Sequence, residues 1–148
     1  MHDPDRQIRA VYDERTIRVY QAYSREIAEP ALANQRFVSP PFKLERMTWI
    51  KPSFLWMMYR AGWGLKDRGQ ERILAIDITR TGFEWALANS CSSSAPPGMA
   101  PGEWALLKAS KPVRIQWDPE RDIYLQPLPY RSIQIGLSKE AVVRYVTE

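Results

Sequence analysis

Cysteine and histidine are nearly absent from this chain. The single Cys91 excludes an internal disulfide, and one Cys with one His cannot build a zinc site of the usual Cys/His kind. The only histidine, His2, stands at the chain start, where ends fray, so Ser-His-Asp and Cys-His catalysis lack their base. No G-x-x-x-x-G-K-[ST] and no G-x-G-x-x-G occurs, which removes the usual signatures of P-loop and Rossmann cofactor binding. No apolar run approaches the ~18 residues of a membrane span. The longest, "FLWMMY", is fenced by Lys51 and Arg60, so no membrane partner is expected. The N-terminal "MHDPDRQIRAVYDE" is charged and has no apolar signal region, which points to a cytoplasmic protein. The carboxylates show no ligand-like clustering. "DPERD" holds three acids, but with an Arg among them it reads as a turn, and no metal site is expected.

What is present fits one domain over residues 1–148, with 45% hydrophobic residues to form a core. Six Trp are many for this length, and each indole N–H needs a partner when buried. The net charge of +4 permits a phosphate-bearing partner without demanding one.

Period-two alternation marks "RQIRAVYD" and "TIRVYQAY" as strands joined by a short turn. "SREIAEPALANQ" reads as a helix capped by Ser24, burying Ile27, Ala31 and Leu32 and bent at Pro30. "RMTWIK" is strand-like. "SFLWMMYRA" is apolar almost all round and reads as a buried helix, with Pro52 at its start and Gly62 as its stop. "ERILAIDIT", mostly apolar on both faces, suggests a central strand. "TGFEWALANS" is a helix with Thr81 and Glu84 at capping-box spacing. The Ser/Pro/Gly-rich stretch at about 91–102 reads as a flexible surface loop, and "EWALLKAS" as a short helix. "PVRIQWD", "IYLQPL" and "YRSIQIGL" read as strands, and "SKEAVVRYV" as a last helix capped by Ser138. The order predicts an α+β fold: a single mixed, mainly antiparallel sheet with packed helices.

The segments "RQIRAVYDERTIRVYQAYSREIA", "RMTWIKPSFLWMMYRAGWG", "QERILAIDITRTGFEWAL" and "VRIQWDPERD" followed by "LPYRSIQIGL" together resemble the domain-of-unknown-function family 4291 over nearly the whole chain. Members of that family usually continue past the last helix. A further resemblance, carried by the strand ending "VYQAY" and the helix after it, is to ADP-ribosyltransferase-like folds. It implies NAD as cofactor, cleavage of the nicotinamide glycosidic bond, and transfer to a nucleic acid or protein acceptor. In that reading Gln21 stands where such folds carry a His, and Gln134 or Glu140 would contact the ribose.

The residue inventory, Arg, Lys, Gln, Tyr, Ser and Glu, independently suits phosphate and ribose recognition. The candidate catalytic residues are Gln21, Gln134 and Glu140. The candidate cofactor-binding residues are Arg9, Tyr20, Tyr23, Trp49, Lys51, Ser53, Arg60 and Arg131. Lys51 and Ser53 are chosen for their place at a helix start, a natural anion site. Trp56, Met57 and Met58 are assigned to the core. Two other function classes compete: a non-catalytic module for nucleotides or nucleic acid, suggested by the basic-aromatic mixture, and a protein-interaction domain, suggested by the excess of Trp, Tyr, Met and Arg.

Overall fold

The structure, a computed structural model, describes residues 6–147 apart from 41, 45, 66, 67, 93–97 and 99, and leaves out the side chains of 68, 101, 146 and 147. It is α+β. The strands are β1 (Thr16–Tyr23), β2 (Thr48–Ile50), β3 (Arg72–Thr79), β4 (Ser90–Ser92), β5 (Val113–Arg121) and β6 (Pro127–Leu137). The helices are α1 (Arg25–Asn34), α2 (Phe54–Ala61), α3 (Arg80–Ala88), α4 (Pro101–Ser110) and α5 (Glu140–Thr147).

Two sheets form where one was expected: a four-stranded sheet in the order β2-β6-β5-β4 and an antiparallel pair β1-β3. All pairings are antiparallel except β4 with β5. The two sheets meet at an isolated antiparallel bridge between Tyr20 and Lys51, whose main chains exchange N–H···O bonds of 2.7 and 3.2 Å.

The main core lies on one side of the joined sheets. Ile17 and Val19 of β1, Ile50 of β2, Val113 of β5 and Ile133, Ile135 and Leu137 of β6 meet Ala28, Phe83, Ala86, Ala141 and Val142 of α1, α3 and α5. α2 supplies a second buried group outside that cluster: Trp56, Met57, Met58 and Ala61. Their burial agrees with the core role read from the sequence. Ser53 caps α2 by accepting from the Trp56 N–H at 3.1 Å, and Gly62, in the left-handed conformation at φ 58°, ends it.

Several expectations need correction. Residues 6–13 form no strand; their ladder pairing with the sheets is limited to isolated bridges at Arg6 and Tyr12. β3 is an edge strand rather than a central one, because it pairs with β1 alone. The N-cap of α3 is Thr79, whose hydroxyl accepts from Gly82 N–H, so Thr81 lies inside the helix. Leu32 is exposed, and Ala28 takes its place in the buried stripe of α1. Ser24 stands at the N-cap of α1 without a side-chain capping bond, and Ser138 donates its hydroxyl to the Pro112 carbonyl instead of capping α5. Of the loop read at 91–102, Cys91 and Ser92 pair with β5, and α4 begins at Pro101. Most of the remainder lies outside the described residues. "DPERD" is no turn: its first four residues complete β5.

Candidate functional site

Strand pairing builds one polar surface on the side of the sheets away from the main core. Ile50 pairs with Ile135, and Gln116 with Gln134. One step past Ile50, Lys51 therefore stands opposite Gln134, while its bridge places it beside Tyr20. Tyr20, Lys51, Gln134 and Gln116 thus form a row across four neighbouring chain segments on one face.

The next row holds Asp118, paired with Ser132. Asp118 sits between two side-chain amides. Its Oδ1 accepts from Gln116 Nε2 at 3.1 Å and its Oδ2 from Gln134 Nε2 at 3.3 Å. Gly136 flanks the row on the other side and carries the Trp49 ring on its bare backbone. A Cβ at position 136 would come within 2.9 Å of three indole carbons, so glycine is what lets the ring lie flat against the sheet.

Lys51 is the electrostatic centre of this face. It is only 5% exposed. Burial lowers its ammonium pKa to about 8, the Arg60 charge pushes the same way, and Asp118 opposes them. Among the described residues its ammonium makes no hydrogen bond, so Asp118 acts on it through space only.

α2 closes one end of the face. The Phe54 ring meets the edge of Tyr20 with centroids 5.4 Å apart. The Ser53 hydroxyl donates to Glu120 Oε1 at 2.7 Å, and the Arg121 N–H donates to the same oxygen at 2.9 Å, so this buried carboxylate is held by two donors. The Arg121 guanidinium lies 3.7 Å from the centre of the Tyr59 ring. Three buried polar atoms here have no hydrogen-bond partner among the described residues: Trp56 Nε1, Arg121 Nε and Ser132 Oγ. Such atoms are uncommon in folded proteins, and two of these can only donate.

Six residues chosen from the sequence gather at this face: Tyr20, Trp49, Lys51, Ser53, Arg60 and Gln134. The others do not. Gln21 points into the core, where its amide donates to the Tyr23 hydroxyl at 3.1 Å and the Trp49 carbonyl at 3.0 Å, and accepts from the Tyr145 hydroxyl at 2.6 Å. Burial raises the pKa of both phenols, so this network is neutral and structural. Glu140 is the exposed first residue of α5. Gln21, Gln134 and Glu140 therefore form no common catalytic group. Arg9 is exposed and stacks on Tyr130 at 4.4 Å, and Arg131 is an exposed residue of β6 whose carbonyl accepts from Gln7 N–H.

Sequence reading missed Gln116, Asp118, Glu120 and Ser132. A signal was there: continuing the alternation of "VRIQWD" through "PE" puts Arg114, Gln116, Asp118 and Glu120 on one face. Pro119 argued for a turn, but in the structure it sits at a register shift between 119 and 121, where a strand tolerates proline.

Among the described residues no three His, Cys, Asp or Glu side chains gather to hold a metal ion, and no helix is long and apolar enough to cross a membrane. The family model described as "Domain of unknown function (DUF4291)" matches residues 7–148. No curated protein and no solved structure matches the chain.

Proposed function

From the premise that this chain belongs to the DUF4291 family, whose name carries no activity, we propose that it binds a nucleotide across the polar face, with NAD as the first ligand to test. The observation that carries this reading is Lys51: a largely buried side chain whose ammonium makes no hydrogen bond among the described residues, next to a carboxylate, two amides and an indole wall. A phosphate oxygen would supply the partner the ammonium lacks. Trp49 and Tyr20 offer ring faces on either side of Lys51 for a base or nicotinamide. Gln116, Gln134 and Asp118 suit sugar hydroxyls.

In the enzymatic form of this reading the bond from the ribose to nicotinamide breaks, nicotinamide leaves with the electron pair, and an acceptor from nucleic acid, protein or water takes the ribosyl carbon. Asp118 is the carboxylate placed to steady the positive charge on the ribose. It takes the place of Glu140, which the sequence reading offered beside Gln134 as the ribose contact.

The test is a fluorescence titration of NAD and ADP-ribose, which the Trp49 indole would report, together with chromatography for free nicotinamide. Lys51→Met is expected to weaken binding at least about tenfold, the loss of one charge-assisted phosphate contact. Nicotinamide release that Asp118→Asn abolishes would establish the enzyme. Binding without release would make the chain a non-catalytic nucleotide module. Absence of binding by either nucleotide overturns the proposal.

A further inference from the structure

A second recess lies on the opposite side of the sheet from Lys51. It is a cleft of about 370 Å³ between the start of α1, Phe42 and Lys43, Arg46 to Thr48, and Gly69–Gln70. Tyr23, Ser24, Lys43, Arg46, Thr48 and Gln70 supply its polar lining. Among the described residues the lining holds two cations and no acid. Neither Lys43 nor Arg46 has a carboxylate partner among the described residues, where the ion pairs are Arg18–Asp77 and Arg25–Glu29.

The floor is rigid. The Tyr23 ring is fixed edge-on against Phe37 and Phe42, at 5.5 and 5.8 Å, and its hydroxyl is bonded to Gln21 and Thr48. The Arg46 charge is felt at that hydroxyl, which puts the cation within electrostatic reach of the phenol. The Ser24 hydroxyl makes no capping bond and is available at the rim. The end of α1 contributes little, because its first N–H already donates to Glu71 Oε1 at 3.1 Å. The attraction comes from the two side-chain cations.

We propose that this cleft is a binding site for a small phosphate monoester, with Arg46 and Lys43 gripping the phosphate and the Tyr23–Phe42 wall taking the organic part. The volume exceeds what a bare phosphate fills, which favours an ester over the inorganic ion. Arg46 supplies a planar fork for two phosphate oxygens. The site shares no residue with the polar face, so it stands or falls independently of the nucleotide reading.

The experiment is calorimetric titration of the whole chain with phenyl phosphate, inorganic phosphate and acetate. The variants are Arg46→Ala, Lys43→Ala, Arg15→Ala as a control at the far end of β1 from Tyr23, and Lys51→Met to catch binding at the polar face. Both cleft residues are exposed, so their variants should fold, which circular dichroism checks. Phenyl phosphate should bind saturably and more tightly than inorganic phosphate. Arg46→Ala should cost about tenfold or more in affinity, and Arg15→Ala less than about twofold. No saturable binding by phenyl phosphate would overturn the proposal. So would acetate binding equally well, or a loss caused by Lys51→Met and not by Arg46→Ala.

Discussion

Lys51 shows how a single side chain makes its surroundings testable. Its pKa falls from 10.5 in an open chain to about 8 in the fold. The unfolded chain therefore holds more protons between those values, and stability must rise as pH rises from about 8 to about 10.5. Below about 8 the full cost of burying the charge is present, an upper bound of about 3 kcal/mol for this gap. Urea melts should show stability climbing across that window. Lys51→Met should flatten the climb and raise stability at neutral pH. A profile unchanged by Lys51→Met would mean that another group titrates there. Binding of an anion at Lys51 would run the other way and fade as pH rises through about 8, once the ammonium loses its proton. Gln21 teaches a complementary lesson. Its place in a strand of apolar neighbours correctly signals that it needs partners, but sequence cannot say whether a ligand or two phenols supply them. Here Tyr145, 124 positions away, is one of them.

At the scale of elements, the start of α2 joins two roles. Ser53 caps the helix with its lone pair and gives its proton to Glu120. Ser53→Ala removes both bonds at once and leaves a buried carboxylate with one donor fewer. The expected loss is about 2 kcal/mol, more than a cap alone contributes. Ser53→Ala combined with Glu120→Gln should lose less than the sum of the two single changes, and a double-mutant cycle in urea measures the difference. Additive losses would show that the two residues act separately. Elements with strong local chemistry were legible in the sequence: α2 through its apolar run and Gly62, and β6 through its alternation. Elements whose outcome rests on distant partners were not. β3 has the composition of an interior strand, yet among the described residues it pairs with β1 alone. Asp118 and Glu120 were hidden because Pro119 and three acids imitate a turn, and only the pairing with β6 overrides that local preference.

For the molecule as a whole, the seam between the two sheets is the informative place. Four of the eight residues of β1 alternate into the core side, and the strand meets the larger sheet at one bridged pair, Tyr20 and Lys51. Hydrogen exchange should find the β5–β6 amides among the slowest, because they are doubly flanked, and the β1–β3 amides faster and grouped together. A nucleotide lying along Tyr20, Lys51 and Gln134 would span the seam, so its binding should slow β1 and β6 together. Protection confined to one sheet would place the ligand elsewhere. The α+β class followed from the order of elements. The split into two sheets did not, because a two-bond seam leaves no trace in composition or periodicity.

The bridge at position 51 is made by main-chain atoms alone. The stitch that unites the two sheets is therefore indifferent to the side chain that happens to be sewn into it. Architecture and chemistry occupy the same residue without constraining each other. Position 51 can carry an amine, a thioether or a guanidinium while the topology stays as it is, which makes it the natural place to rewrite what this surface recognises.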